Sequence, residues 1–131
     1  MTIHHEAVLA ATPQQVYEVL TTGAAFAKAT GDRPATIGAG EGATFELFGG
    51  PIHGRQIELV PGERVVQAWR VAGWDPGVYS VVRFTLRAEG GKTRFVIDHD
   101  AYPAAQHDHL SGGWLANYIE PLTAYFARAA G

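Results

Sequence analysis

Near its end the chain reads Gly113-Trp114-Leu115-Ala116-Asn117-Tyr118-Ile119-Glu120-Pro121-Leu122-Thr123-Ala124-Tyr125-Phe126. Trp114, Tyr118, Leu122, Tyr125 and Phe126 recur at i, i+4, i+8, i+11 and i+12, the spacing of one helical face. Leu115 and Ile119 widen that stripe. The spacing predicts a helix over about 113–130, which at 1.5 Å per residue runs roughly 27 Å and can cross a small sheet. Pro121 lies inside it and is expected to kink it, because the ring leaves the Asn117 carbonyl without its usual N–H partner. A helix this rich in aromatic residues needs an apolar surface to lie against, and the residues before it supply one.

Working back from the helix, the period changes to two, the mark of half-buried strands. Residues 92–100 set Phe95, Ile97 and His99 against Arg94, Val96 and Asp98. Gly90-Gly91 suits a tight hairpin, and residues 79–88 set Ser80, Val82, Phe84 and Leu86 against Tyr79, Val81, Arg83 and Thr85. Trp74-Asp75-Pro76-Gly77 reads as a loop after a strand over 64–71. Pro61-Gly62 is the central pair of a type II turn, since Pro presets φ and Gly accepts φ > 0. Residues 54–60 set Ile57 and Leu59 against Gln56 and Glu58, and residues 43–48 set Ala43, Phe45 and Leu47 against Thr44, Glu46 and Phe48. Gly49-Gly50-Pro51 separates these two strands.

The amino-terminal part starts with a strand over 3–10. Thr12-Pro13-Gln14-Gln15 then gives a cap, a proline at the first helical position and a capping box. Val16, Val19 and Leu20 share a helical face, Thr22-Gly23 ends that helix, and residues 24–29 form a second short helix closed by Thr30-Gly31. The order implies an α+β domain over residues 1–131: a curved antiparallel sheet of about six or seven strands wrapped around a long C-terminal helix, with two short helices after the first strand. A sheet curled round a helix tends to leave room between them.

The 131 residues contain no cysteine, which removes disulfides, thiol nucleophiles and cysteine-ligated metals. The formal charge of −3 gives no basic field for nucleic acid. No apolar run is long enough to insert in a membrane, and the amino terminus lacks the pattern of a secretion signal. The expected setting is the cytoplasm, and eight Arg against two Lys suits a bacterial source.

One ordered set of residues spans almost the whole chain. It begins with Pro13-Gln14-Gln15-Val16-Tyr17, Glu41-Gly42-Ala43-Thr44-Phe45 and Glu58-Leu59-Val60-Pro61-Gly62-Glu63-Arg64-Val65-Val66-Gln67-Ala68-Trp69-Arg70. It continues with Tyr79-Ser80-Val81-Val82-Arg83-Phe84, Gly90-Gly91-Lys92-Thr93-Arg94-Phe95 and Gly113-Trp114 ahead of Tyr118-Ile119-Glu120-Pro121-Leu122. This set resembles the family of activator of heat-shock-protein ATPase homologues, in the START-like, or SRPBCC, superfamily with the helix-grip fold. The resemblance implies a hydrophobic cavity and leaves the chemistry open, because one fold carries many functions. Many relatives have a Trp after the second short helix, where this chain reads Lys28-Ala29-Thr30-Gly31, so the cavity rim is expected to differ.

The inward residues Phe45, Leu47, Trp69, Val82, Phe84, Phe95, Ile97, His99, Trp114 and Tyr118 are the candidate ligand-binding set, with a solid core as the alternative. The expected ligand is an apolar small molecule, lipid-like or aromatic. Its mouth is expected near the short helices and the Trp74 loop, with Gly112-Gly113 as a hinge. His99 is the one candidate catalytic residue, an acid or base for a cyclase or hydrolase. Ser80 and Ser111 lack the G-x-S-x-G turn of a serine hydrolase. His107-Asp108-His109 would meet at a metal only on a strand, and His4-His5 point to opposite faces, so no metal site and no cofactor are expected. Arg55, Arg70, Arg83 and Arg94 are spread over four neighbouring strands, and some of them are expected to share the outer sheet face with Glu46, Glu58 and Asp98. There they form cross-strand ion pairs or a docking surface for a protein partner, a chaperone included. The chain is expected to be a monomer or homodimer.

Overall fold

The computed structural model describes residues 1–130. Helix α1 (Pro13–Thr21) starts on the capping box read from the sequence: Thr12 Oγ1 accepts from the Gln15 N–H at 3.2 Å, and the Thr12 N–H donates to Gln15 Oε1 at 2.8 Å. These bonds satisfy amide groups that the first turn would otherwise leave bare. Val16, Tyr17, Val19 and Leu20 are buried. Gly23 does not close α1, as the sequence suggested; it opens helix α2 (Gly23–Ala29) after an extended Thr22. The reason is a close approach, since a Cβ on Gly23 would sit 2.6 Å from the Ala35 carbonyl oxygen.

The sheet consists of β1 (Ile3–Leu9), β2 (Thr36–Ile37), β3 (Thr44–Leu47), β4 (Ile52–Val60), β5 (Arg64–Val71), β6 (Ser80–Glu89) and β7 (Lys92–Asp100). Its order is β1-β7-β6-β5-β4-β3-β2, antiparallel throughout. The two short helices carry the chain from one margin of the sheet to the other, and a meander brings it back to pair β7 with β1. Strand β2 is too short for alternation to reveal it. In the β4–β5 turn Gly62 has φ 73°, and the Glu63 N–H bonds the Val60 carbonyl at 2.9 Å. Gly90 and Gly91, with φ 58° and 81°, make the β6–β7 hairpin, whose tight turn needs positive φ at both positions.

The inner face follows the expected alternation in β3, β6 and β7, where Phe45, Leu47, Ser80, Val82, Phe84, Phe95, Ile97 and His99 are all buried. Strand β4 departs from it. A bulge between Gln56 and Glu58 turns Gln56 inward and leaves Ile57 53% exposed. Gln67 Nε2 donates to Gln56 Oε1 at 3.2 Å, while Gln56 Nε2 and Gln67 Oε1 have no partner.

The C-terminal helix begins at His107, earlier than the glycines suggested, and takes Gly112 and Gly113 into its interior. It comprises α3 (His107–Trp114), a wide π turn (Leu115–Ile119) and α4 (Glu120–Ala130). Ahead of Pro121 the ladder widens, and the Glu120 N–H bonds the Leu115 carbonyl five residues back. Leu110, Trp114, Tyr118, Leu122 and Phe126 are buried against the sheet and short helices.

Candidate functional site

Phe48 falls on the outer face by simple alternation, yet it is buried. Its φ of 57° turns the chain out of β3, and its ring packs edge-on against Phe26 at 5.4 Å and Tyr118 at 5.7 Å. The Arg33 guanidinium lies 4.6 Å above that ring. Trp69, on β5, is held by Trp114 at 5.3 Å, His99 at 4.9 Å and Trp74 at 6.0 Å between ring centres. The next residue, Arg70, is buried instead of standing on an ion-paired outer face. Its guanidinium donates to the carbonyls of Trp74 at 2.7 Å and of Asp75 and Val78 at 2.9 Å. The loop is thereby pinned with Trp74 against Trp69, and it forms no part of the cavity mouth.

His99 is wholly enclosed. The Trp114 indole N–H donates to His99 Nδ1 at 3.0 Å, so the proton sits on Nε2. That nitrogen donates to Ser80 Oγ at 2.7 Å, and Ser80 Oγ–H donates to the Trp69 carbonyl at 2.8 Å. Every group in the chain is satisfied. Burial pushes the His99 pKa down to about 4, with Asp100 opposing weakly.

Beside this network a cavity of about 200 Å³ opens between the ends of β4 and β5 and the helix around Trp114. Phe48, Ile52, Val71, Leu110, Trp114 and Gly113 give it apolar walls, and Arg33, His109 and Asn117 stand at its rim. Arg33 Nη2 reaches Asn117 Oδ1 at 3.5 Å. Behind the lining, Trp69 Nε1 and Tyr118 Oη are buried without a hydrogen-bond partner, in residues only 4% and 3% exposed. Burial pushes the Tyr118 hydroxyl pKa up. The neighbouring Trp69 N–H tempers that rise, yet the pair falls short of hydrogen-bond geometry.

Of the residues read from the sequence, Trp69, Trp114 and Tyr118 line the cavity. Phe45, Leu47, Val82, Phe84, Phe95, Ile97 and His99 are buried in the core without reaching it. Phe48, Ile52, Val71 and Leu110 were missed. Only the Gly49-Gly50 break beside Phe48 hinted that alternation fails there. The structure does bring each serine to a histidine, Ser80 to His99 and Ser111 Oγ to His5 Nε2 at 3.1 Å. His5 Nε2 also meets the Ser111 carbonyl at 3.1 Å; a carbonyl only accepts, so this nitrogen carries its proton and cannot take one from the hydroxyl. Among the described residues no cluster of three metal-ligating side chains forms, and no helix is long and apolar enough to cross a membrane.

The outer sheet face carries a chain of charges. Arg83 meets Asp98 at 3.5 Å, His4 meets Asp98 at 2.6 Å and Glu6 at 2.8 Å, and Arg94 meets Glu6 at 3.1 Å and Glu89 at 2.6 Å. Asp98, and after it Glu6, holds the His4 pKa above its usual value. Arg55 instead bonds the Gly42 carbonyl. Two hollows of about 580 and 590 Å³ on this face are larger than the inner cavity; Thr36, Glu46, His53, Arg55 and Tyr79 line one, and His4, Glu6, Glu58, Arg64, Arg83 and Asp98 line the other.

Comparison with known proteins fits this geometry. The human activator of 90 kDa heat shock protein ATPase homolog 1 is 28% identical over 119 residues, covering 91% of this chain and 35% of that protein. The chain therefore spans about a third of that relative's length. An HSP90 activator from Plasmodium falciparum superposes with a TM-score of 0.86 at 20% identity, covering 92% of this chain and 91% of that one. The Aha1 dimer from Colwellia psychrerythraea gives 0.78 at 22% identity and covers 96% of each. Both structures share the helix-grip, START-like fold expected from the sequence. The family model described as activator of Hsp90 ATPase homolog 1-like protein matches residues 10–127, and the chain belongs to that family.

Proposed function

We propose that this domain binds a compact, largely apolar small molecule between its sheet and its C-terminal helix. The observation that carries this reading is the unfilled space of about 200 Å³ at the point where the helix crosses β5. Interiors are normally packed to crystal density, and an apolar void of roughly 150 Å³ accepts benzene. The volume suits one or two fused rings and is too small for an extended acyl chain or a sterol. Binding fits better than cyclase or hydrolase chemistry, because both nitrogens of His99 are already engaged inside the core.

Thermal unfolding with graded naphthalene, indole and hexadecanoate tests the proposal. The two ring compounds should raise the midpoint in step with the logarithm of their concentration, by about 2.7 kcal/mol of stabilisation at a hundred times Kd, and hexadecanoate should not. Gly113→Leu places a side chain in the space and should abolish the response. The absence of any shift with the ring compounds overturns the reading.

A second reading is supported by the relatives' names and by the outer face, where Tyr79 and Val81 stand exposed beside Arg83 and Arg55. Under it the domain docks on an Hsp90-type ATPase through that face. Stimulation of a purified Hsp90 ATPase, lost in Arg83→Glu, is the expected result; an unchanged ATPase rate rules it out.

A further inference from the structure

The rim of the inner cavity carries a cation with no acid to meet it. Arg33 is exposed, yet its guanidinium is held between two side chains that line the space. It lies 4.6 Å above the Phe48 ring, and its Nη2 reaches Asn117 Oδ1 at 3.5 Å. Among the described residues it makes no ion pair. A guanidinium has several N–H donors, and the bond to Asn117, at the limit of hydrogen-bond length, engages one of them. The Asn117 amide nitrogen also stands beside the cavity, since a Cβ on Gly113, another lining residue, would lie 3.7 Å from Asn117 Nδ2. No carboxylate lines the space; Asp32 and Asp108, the sequence neighbours of Arg33 and His109, fall outside it.

We infer that the cavity takes an aromatic carboxylate, its ring against Phe48, Leu110 and Trp114 and its carboxylate at the rim, accepting from the Arg33 guanidinium and the Asn117 amide. This inference rests on the small-molecule reading above and adds the ligand's chemistry to it.

The walls select the body of the ligand and the rim selects its head. Phe48 and Trp114 present aromatic surface to a planar ring, and no charged group stands among the apolar walls. A guanidinium fork matches the two oxygens of a carboxylate and stays charged at every relevant pH. Held at the rim, the anion keeps part of its water and escapes the cost of a buried charge. A neutral amide head fills the same outline, but its hydrogen bonds are about half as strong as charge-assisted ones. An ammonium head meets Arg33 as a like charge and finds no acidic side chain in the lining.

Benzoate, benzamide and benzylammonium carry the same ring and differ in charge. They are titrated into the full chain and followed in proton–nitrogen correlation spectra, where the indole groups of Trp69 and Trp114 report on the cavity. Benzoate should bind about three- to tenfold more tightly than benzamide, and benzylammonium more weakly than either. Arg33→Gln, at an exposed position, should remove the advantage of benzoate and leave benzamide within about twofold. If benzamide matches benzoate, or if Arg33→Gln leaves benzoate unchanged or weakens both alike, the carboxylate assignment falls and the binding reading stands. Benzylammonium bound as tightly as benzoate also overturns it, as do benzoate shifts confined to residues away from Trp69 and Trp114. If benzoate and benzamide both fail to bind while naphthalene raises the unfolding midpoint, the assignment falls alone; if naphthalene fails as well, both readings fall.

Discussion

A neutral imidazole enclosed by Trp114 and Ser80 ties the protein's stability to acidity. An unfolded His99 titrates near its ordinary value of 6.5, and the folded one near 4. Between these limits the unfolded chain binds a proton that the folded chain refuses, so stability must fall as pH falls through that window. The full difference is roughly 3 kcal/mol at 1.36 kcal/mol per pH unit. His4 acts with the opposite sign. Its raised value adds stability below 6.5 that is lost as pH rises, weakly, because its side chain is half exposed. Urea unfolding at pH 7 and pH 4.5 should show a smaller acid loss in His99→Gln than in the unaltered chain, and equal losses would refute this account. The inward direction of His99 was legible from its alternation with Phe95 and Ile97. Its partners were not, because Trp114 comes from another element and alternation says nothing about what lies across the gap. The same limit hid Phe48, whose direction depends on one positive φ.

At the scale of elements, Gly54 joins three strands. It pairs with Phe45 on one side and Trp69 on the other. A Cβ there would lie 1.9 Å from the Ala68 carbonyl oxygen and 2.8 Å from the Phe45 ring. Neither a carbonyl in a ladder nor a ring wedged in a core can retreat cheaply. Gly54→Ala should therefore destabilise the protein by about 3 kcal/mol, the upper end for overpacking. A urea midpoint unchanged by that substitution would mean that β4 and β5 sit further apart. The C-terminal helix shows what periodicity reveals and what it conceals. Residues four apart in an α-helix advance by about 40° around the axis, so a stripe from Leu110 to Phe126 would wind well off the sheet. The wide turn at 115–119 takes back part of that rotation. A strict four-residue spacing together with Pro121 was its sequence trace, read only as a helix with a kink. The capping box, the Pro61-Gly62 turn and the Gly90-Gly91 hairpin were legible in full because each is decided by two to four neighbouring residues.

Across the whole molecule, one cluster of buried side chains runs from Ile3 and Leu9 through the sheet to Phe126. The fold class was readable because strands and helices are segregated along the chain. The cavity was not, since it is a volume left over by rings from the turn after β3, from β5 and from the C-terminal helix, and no local pattern encodes a remainder. With a shared core, urea unfolding followed by tryptophan fluorescence and by far-UV circular dichroism should give coincident single transitions. Separated midpoints would divide the chain into independent folding units. The two margins of the sheet are unequal in a way that bears on self-association. One ends in β2, a strand of two residues, and the other in β1, a strand of seven. A stub of two residues offers almost no backbone template, whereas a long unpaired flank invites a second copy to extend the ladder. Any filament or fibril that this protein seeds should therefore grow from the flank of β1.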